Sequence, residues 1–225
     1  MWCVPTLTPE YIERMEDVLA LYERPYDPSE PVVCLDERPI QLLDSSRSGR
    51  SLAPGKIACE DYEYVRCGTA NVFCAVEALA GRHNTKATVN RKAPAFAKII
   101  SEIAHRYRRA ETIHLVVDNL NTHCLKSLTT HFGEKRGVKI WHRFIVHYTP
   151  QHGSWLNQAE IEISLFSRGC LGGDRIPTFR KLTRRTDAWC ARMNADRTTI
   201  CWGFTVKKAR SKFHYKRSIF RRSKY

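Results

Sequence analysis

Apolar residues recur in two rhythms along the chain, one at helical spacing and one as short unbroken runs, and their order defines the expected elements. Ile12, Met15, Leu19 and Tyr22 lie three or four residues apart behind Thr8-Pro9-Glu10, where threonine can cap a helix and proline can take its first turn. Pro25, Pro28 and Pro31 stop that helix, because proline lacks a backbone donor and restricts the residue before it. Residues 1–30 therefore read as an N-terminal helical arm and linker. Val32-Val33-Cys34-Leu35 is short enough for a buried strand and ends on Asp36-Glu37. After a polar loop over residues 45–56, residues 62–65 and 71–76 read as two more strands joined through Gly68, the antiparallel part of a sheet.

Residues 94–109 carry Phe96, Ile99, Ile100, Ile103 and Tyr107 along one side, an amphipathic helix that leads into Ile113-His114-Leu115-Val116-Val117. This second buried run ends on Asp118. A strand, helix, strand order implies a right-handed crossover with parallel neighbours. Asn121 or Thr122 can start a helix through Leu125 and Leu128 to Phe132, with Gly133 and Gly137 bracketing its exit. Residues 141–147 read as a fifth strand ended by Pro150. Two helices follow, over 154–168 and 178–194, the second packing through Phe179, Leu182 and Trp189. The pattern predicts an α/β fold in residues 31–196, a central mixed five-stranded sheet flanked by helices.

Composition adds a partner to this picture. A chain of 225 residues, 43% hydrophobic and with five tryptophans, can bury one substantial core. Its formal charge of +14 exceeds what solubility needs and points to a polyanion, with nucleic acid the best fit and a solubilising role the rival. Nine cysteines without a C-x-x-C pair read as reduced and structural. The start has no signal-like pattern and no run approaches the roughly 18 apolar residues of a membrane span, so a cytoplasmic protein with no membrane partner is expected, nucleoid-associated when bound to DNA.

Residues 197–225 contain no acid, while Lys207, Lys208, Arg210, Lys212, Lys216, Arg217, Arg221, Arg222 and Lys224 accumulate among aromatic residues. Such a basic tail can follow a phosphate backbone and order on contact with it. The alternative is that Trp202, Phe204 and Val206 dock on the preceding domain while the cations face water.

Two strands that end on Asp36 and Asp118, followed by a helix with Glu160, supply the carboxylates a two-metal phosphodiester reaction needs, oxygens from separate elements converging on ions about 4 Å apart. The competing reading is that both aspartates merely cap turns. Leu156, Ala159, Ile163 and Phe166 form a helical core face, which leaves Glu160 beside that face and turns Glu162 elsewhere. Asn119 and His123 stand close behind Asp118, and Asn157 lies three residues before Glu160; each can orient a carboxylate or simply stabilise a turn or helix surface. His147 and His152 lack the cysteine partners of a zinc set. Trp155 is read as a packing anchor in preference to a base-stacking residue.

Val-Val-Cys-Leu-Asp-Glu at 32–37, Leu-Val-Val-Asp-Asn-Leu-Asn-Thr-His at 115–123 and His-Tyr-Thr-Pro-Gln-His-Gly-Ser-Trp-Leu-Asn-Gln-Ala-Glu at 147–160 resemble the three signature blocks of bacterial insertion-sequence transposases related to the mariner group. The resemblance extends from about Trp2 to Tyr215. It implies an RNase H-like DDE endonuclease with Asp36, Asp118 and Glu160 as catalytic, metal-binding acids. The implied cofactor is Mg²⁺, with Mn²⁺ as a substitute. It further implies cleavage of DNA, transfer of a 3′-hydroxyl to target DNA, and a homo-oligomer on DNA. Arg38-Pro39 departs from the small or basic residues expected after Asp-Glu. The family also carries an N-terminal helix-turn-helix region, and this chain begins close to the linker after it. A second expectation follows, a truncated or inactive remnant that binds DNA or oligomerises with a full-length transposase.

Overall fold

The structure is a computed structural model that describes residues 7–47 and 62–216. Residues 48–56 of the expected polar loop and the tail cations Arg217, Arg221, Arg222 and Lys224 lie outside the described residues. The central sheet has five strands, β1 (Val32–Ser45), β2 (Tyr64–Glu77), β3 (Arg82–Thr88), β4 (Ile113–Val117) and β5 (Phe144–Tyr148), in the order β3-β2-β1-β4-β5. β1, β2 and β3 pair antiparallel, whereas β1, β4 and β5 run parallel. The expected mixed sheet flanked by helices is therefore the fold, although individual elements differ from their sequence reading.

β1 does not end at Asp36 but continues as a long hairpin arm against β2. Its ladder to β4 covers only Val32, Val33 and Cys34, so Pro39 falls where β1 has a strand on one side alone, the setting in which a strand tolerates proline. Residues 62–65 and 71–76 are likewise not two strands. β2 runs unbroken through Gly68, which has φ 107° beside the register shift between Leu42 and Leu43 and so forms a bulge in place of a turn. β3 was not expected from the sequence at all. Its inward positions include His83 and Thr85, polar residues that carry no hydrophobic alternation until partners are supplied.

Seven α-helices complete the described residues: α1 (Pro9–Tyr22), α2 (Ala93–Arg106), α3 (Leu125–Phe132), α4 (Glu134–Trp141), α5 (Ala159–Phe166), α6 (Phe179–Asp196) and α7 (Val206–Phe213). α4 occupies residues assigned to a helix exit and the fifth strand. Gly137 is its contact point, because a Cβ there would stand 2.6 Å from the Thr129 backbone, and the bare glycine lets α4 close on α3. The helix expected over 154–168 is split into a 3-10 turn (Ser154–Leu156), α5 and a π turn (Ser167–Leu171). Phe179 is 37% exposed and is not a packing residue of α6, unlike buried Leu182 and Trp189.

Alternation along the strands distributes the core to both sheet faces. Val33, Leu35, Phe73, Ala75, Ile113, Leu115 and Val117 pack with Phe96, Ile99, Ile100 and Ile103 of α2. On the other face Val72 and Cys74 meet Ile163 and Phe166 of α5 and Trp189 of α6. A third cluster joins Met15, Val18 and Leu19 of α1 to Cys34, Val116, Leu156, Ile200, Ala209 and Tyr215. Full burial of each such aliphatic side chain contributes about 1.5–3 kcal/mol, which fixes α1 and the 200–215 stretch to the same face. Residues 200–215 are thus ordered by packing within the chain, and Trp155 is an anchor, meeting Phe204 and Phe213 edge-on or tilted. Among the described residues, no helix is long and apolar enough to cross a membrane.

Candidate active site

Parallel register sets the two aspartates. Cys34 of β1 pairs with Val116 of β4, and Asp36 and Asp118 each follow two residues later, so both arrive at the same edge of the sheet with the same facing. α5 enters beside them because Asn157 is buried and bridges the two elements: its Nδ2 donates to the Leu35 carbonyl at 2.9 Å and its Oδ1 accepts from the Ala159 amide at 3.1 Å. The Glu160 amide donates to the Asn157 carbonyl at 3.0 Å, which places Glu160 in the first turn of a helix pinned to β1 next to Asp36.

Asp36 is 9% exposed and its Oδ1 accepts from the Glu37 amide at 2.7 Å. Burial pushes its carboxyl up to about 7; that amide works the other way, and the negative charges of Glu160, Glu37 and Asp118 add to the rise. Asp118 turns toward His123, with Oδ1 2.7 Å from Nδ1, although this buried oxygen has no well-aligned hydrogen bond. His123 Nδ1 also faces the Asp118 carbonyl at 3.2 Å, and Nε2 stands 2.7 Å from Glu37 Oε1. Its ring stacks on Phe96 at 4.5 Å, and the Tyr148 hydroxyl donates to its carbonyl at 2.7 Å. Burial opposes a charge on this imidazole, but the hydrogen bonds and charges of Asp118 and Glu37 outweigh it and lift the group to about 10. Glu37 was missed as a functional residue by sequence reasoning; the Asp-Glu pair was visible, but alternation sends the two side chains to opposite sheet faces, and only the fold brings His123 to the second.

Asn119 is exposed and lines, with Asp118, a cleft of about 460 Å³ walled by Tyr11 and Arg14 of α1 and by the loop through Pro150 and His152. Glu162, two residues after Glu160, does turn away from this edge, but inward. It is fully buried with His83, whose Nδ1 lies 2.9 and 3.0 Å from the two carboxylate oxygens. Of the tail cations, Lys207, Lys208, Lys212 and Lys216 are exposed. Arg210 instead forks onto Glu16 at 2.7 and 2.8 Å.

Oxygen-only donors suit a hard divalent cation. A carboxyl group held near 7 by burial among other acids is in a condition that such a cation relieves. As the side chains stand, with Asp118 on His123, no group of three His, Cys, Asp or Glu residues among the described residues forms a ready-made metal cluster.

The α1 wall of the cleft is tied to the sheet by a chain of proton-specific contacts. Arg24 donates to His114 Nε2 at 2.9 Å, His114 Nδ1 meets His147 Nε2 at 3.0 Å, and His147 Nδ1 meets Asp17 Oδ2 at 2.7 Å. Burial, then the neighbouring His147 and the charge of Arg24, holds His114 below its ordinary value, against a smaller opposite pull from Glu30. The unfolded chain protonates His114 near pH 6.5 while the folded chain resists, so this contribution to stability is present above about pH 6.5 and lost as pH falls below it. The urea midpoint of wild type minus that of His114→Gln should therefore shrink from pH 7 to pH 5; a constant difference would remove His114 as the sensitive group.

The DDE superfamily endonuclease family matches residues 31–183, and the chain belongs to that family. Among solved structures it is similar to the Mos1 transposase. The paired-end complex with left transposon end is 14% identical with a TM-score of 0.56, covering 85% of this chain and 57% of that one. The Mos1 mariner paired end complex with Mn gives 14%, 0.55, 88% and 62%, and the Mos1 strand transfer complex 15%, 0.53, 85% and 57%. The sheet and its flanking helices are thus the RNase H-like fold of the mariner-type transposases, and the chain spans 57 to 62% of the length of these three structures. No curated protein matches the sequence.

Proposed function

We propose that this chain is the metal-dependent nuclease and strand-transfer core of an insertion-sequence transposase, with Asp36, Asp118 and Glu160 as its catalytic acids. The observation that supports it most is the parallel register of β1 and β4, which delivers Asp36 and Asp118 to one edge beside the first turn of α5. Mg²⁺, or Mn²⁺ in its place, is the cation these three carboxylates would hold. When bound, such ions favour deprotonation of a water or a DNA 3′-hydroxyl and stabilise the oxygen that leaves phosphorus. The protein's own part is positioning. Asn157 fixes α5 against β1, and His123, braced by Glu37 and Phe96, orients Asp118. Asn119 in the cleft is placed to meet a phosphate. DNA is the substrate and a homo-oligomer on DNA the working form, with residues 31–196 as the catalytic domain, 1–30 as an arm and 197–225 as a basic tail.

The contact between Asp118 and His123 favours a second reading, a chain that binds DNA or a full-length transposase without turnover. Incubation with branched or pre-nicked DNA and Mg²⁺ separates the two. The catalytic reading expects cleavage that EDTA abolishes and joining of a 3′-hydroxyl end to target DNA. Binding without cleavage in Mg²⁺ or Mn²⁺ would leave the second reading.

A further inference from the structure

At the opposite end of β4 from Asp118 lies a groove of about 1120 Å³ in which Arg82, Arg106, Arg108, Arg109 and Arg197 converge with Tyr26 at its side, and among the described residues no acid lines it. The arginines come from three separate parts of the fold: the start of β3, the end of α2 with the loop after it, and the residue that ends α6. A helix C-terminus attracts cations on its own account, which explains His105 and Arg106 in the last turn of α2. That effect fades within a turn; the end of α6 favours Arg197 in the same way, but neither helix end carries Arg82, which opens β3.

The arrangement is also held in place. Arg106 donates to Asn194 Oδ1 at 3.2 Å, and Arg82 to the buried carboxylate of Glu77 at 3.2 Å. Arg143 Nη2 donates to the Tyr107 and Ala110 carbonyls, each at 2.9 Å, which fixes the loop that carries Arg108 and Arg109. Arg197 adopts a left-handed backbone conformation, and its carbonyl sits where a Cβ on Gly81 would be only 2.5 Å away, so α6 and the start of β3 touch backbone to backbone. The side chains of Arg108, Arg109 and Arg197 remain exposed.

We infer that this groove is a second nucleic-acid contact, which takes the sugar-phosphate backbone of a DNA duplex away from the place of cleavage. The inference rests on the reading of the chain as a DNA-acting protein. Guanidinium forks match phosphate oxygens, and exposed forks spread along an open groove suit a run of phosphates better than one small anion. β4 separates the groove from the carboxylate edge by about 16 Å at the usual rise of a parallel strand, so the two surfaces engage different stretches of DNA. The contact is with phosphates alone and carries no sequence preference.

The test is the affinity of the full chain for a blunt mixed-sequence duplex, in EDTA, across a range of salt concentrations. Arg108→Gln/Arg109→Gln should weaken binding and lower the slope of log affinity against log salt by about 1.8, near 0.9 for each lost contact. Arg108→Lys/Arg109→Lys should keep most of the slope, since the charge survives. Wild-type binding with an unchanged slope in the glutamine variant overturns the groove while leaving the DNA-acting reading in place. No measurable wild-type binding overturns both. If the glutamine variant fails to fold, amide exchange of the wild-type chain with and without duplex decides: protection of residues 105–110 and 197 supports the contact, and its absence there rejects it.

Discussion

Asp118→Asn is expected to leave a folded, DNA-binding protein whose Mg²⁺-dependent cleavage falls by more than about 100-fold. Loss of a group that only supports a metal ligand costs roughly 10–100-fold, and Asp118 is proposed as a ligand itself. The amide keeps the shape of the side chain but removes its negative charge. Folding should tolerate the change, because the Asp118 side chain is 30% exposed and His123 retains its contact with Glu37. Cleavage rates in Mg²⁺ and retention on the same DNA, measured side by side for both proteins, provide the check. Undiminished turnover would sink the assignment of this carboxylate, and equal loss of binding would trace the defect to folding.

The largest effect on stability is expected from the pair of His83 and Glu162. Both side chains are fully buried; Thr85 Oγ1 donates to Glu162 Oε1 at 3.3 Å, and His83 Nε2 donates to the Thr198 carbonyl at 2.9 Å. Glu162→Ala strips a buried partner and should destabilise the fold by about 3–5 kcal/mol, the range for breaking a buried pair from one side. Replacing both residues by leucine removes the unpaired group along with its partner and should recover most of that loss. Urea unfolding of the two variants measures it. A cost under about 1 kcal/mol for Glu162→Ala would show that the pair does not anchor α5 to β3. The same anchor fixes the rotation of the helix that presents Glu160 two residues earlier, so cleavage by the alanine variant should fall even under conditions where it is folded.

Much of the architecture was legible because it depends on local physics. The buried runs at 32–35 and 113–117 contain only positions that a two-sided sheet accepts, with His114 the exception, and the helical stripe of Phe96, Ile99, Ile100 and Ile103 between them requires a crossover. The threonine cap at Thr8 was readable for the same reason, since its side chain satisfies an amide three residues ahead; Thr178, read as the first helical residue, caps α6 in the same way. Glycine misled the reading in both directions. Gly68 and Gly137 resemble turn and exit signals in the sequence, but one relieves a bulge inside a strand and the other a close approach between helices, and that difference lies in the neighbour.

By itself the sequence determined the α/β layering, the two strands that carry Asp36 and Asp118, and the helix bearing Glu160, because apolar periodicity and proline placement act over a few residues. Only the tertiary structure decided the rest: that β3 is a strand, that Glu162 faces His83, that Glu37 and Asp118 share His123, that Arg210 turns to Glu16, and that arginines 82, 108, 109 and 197 share one groove. Each of these pairs a polar or charged side chain with a partner far away in sequence. A polar residue shows no local preference for burial, and its place is set by whether the fold brings it a partner to compensate for lost water.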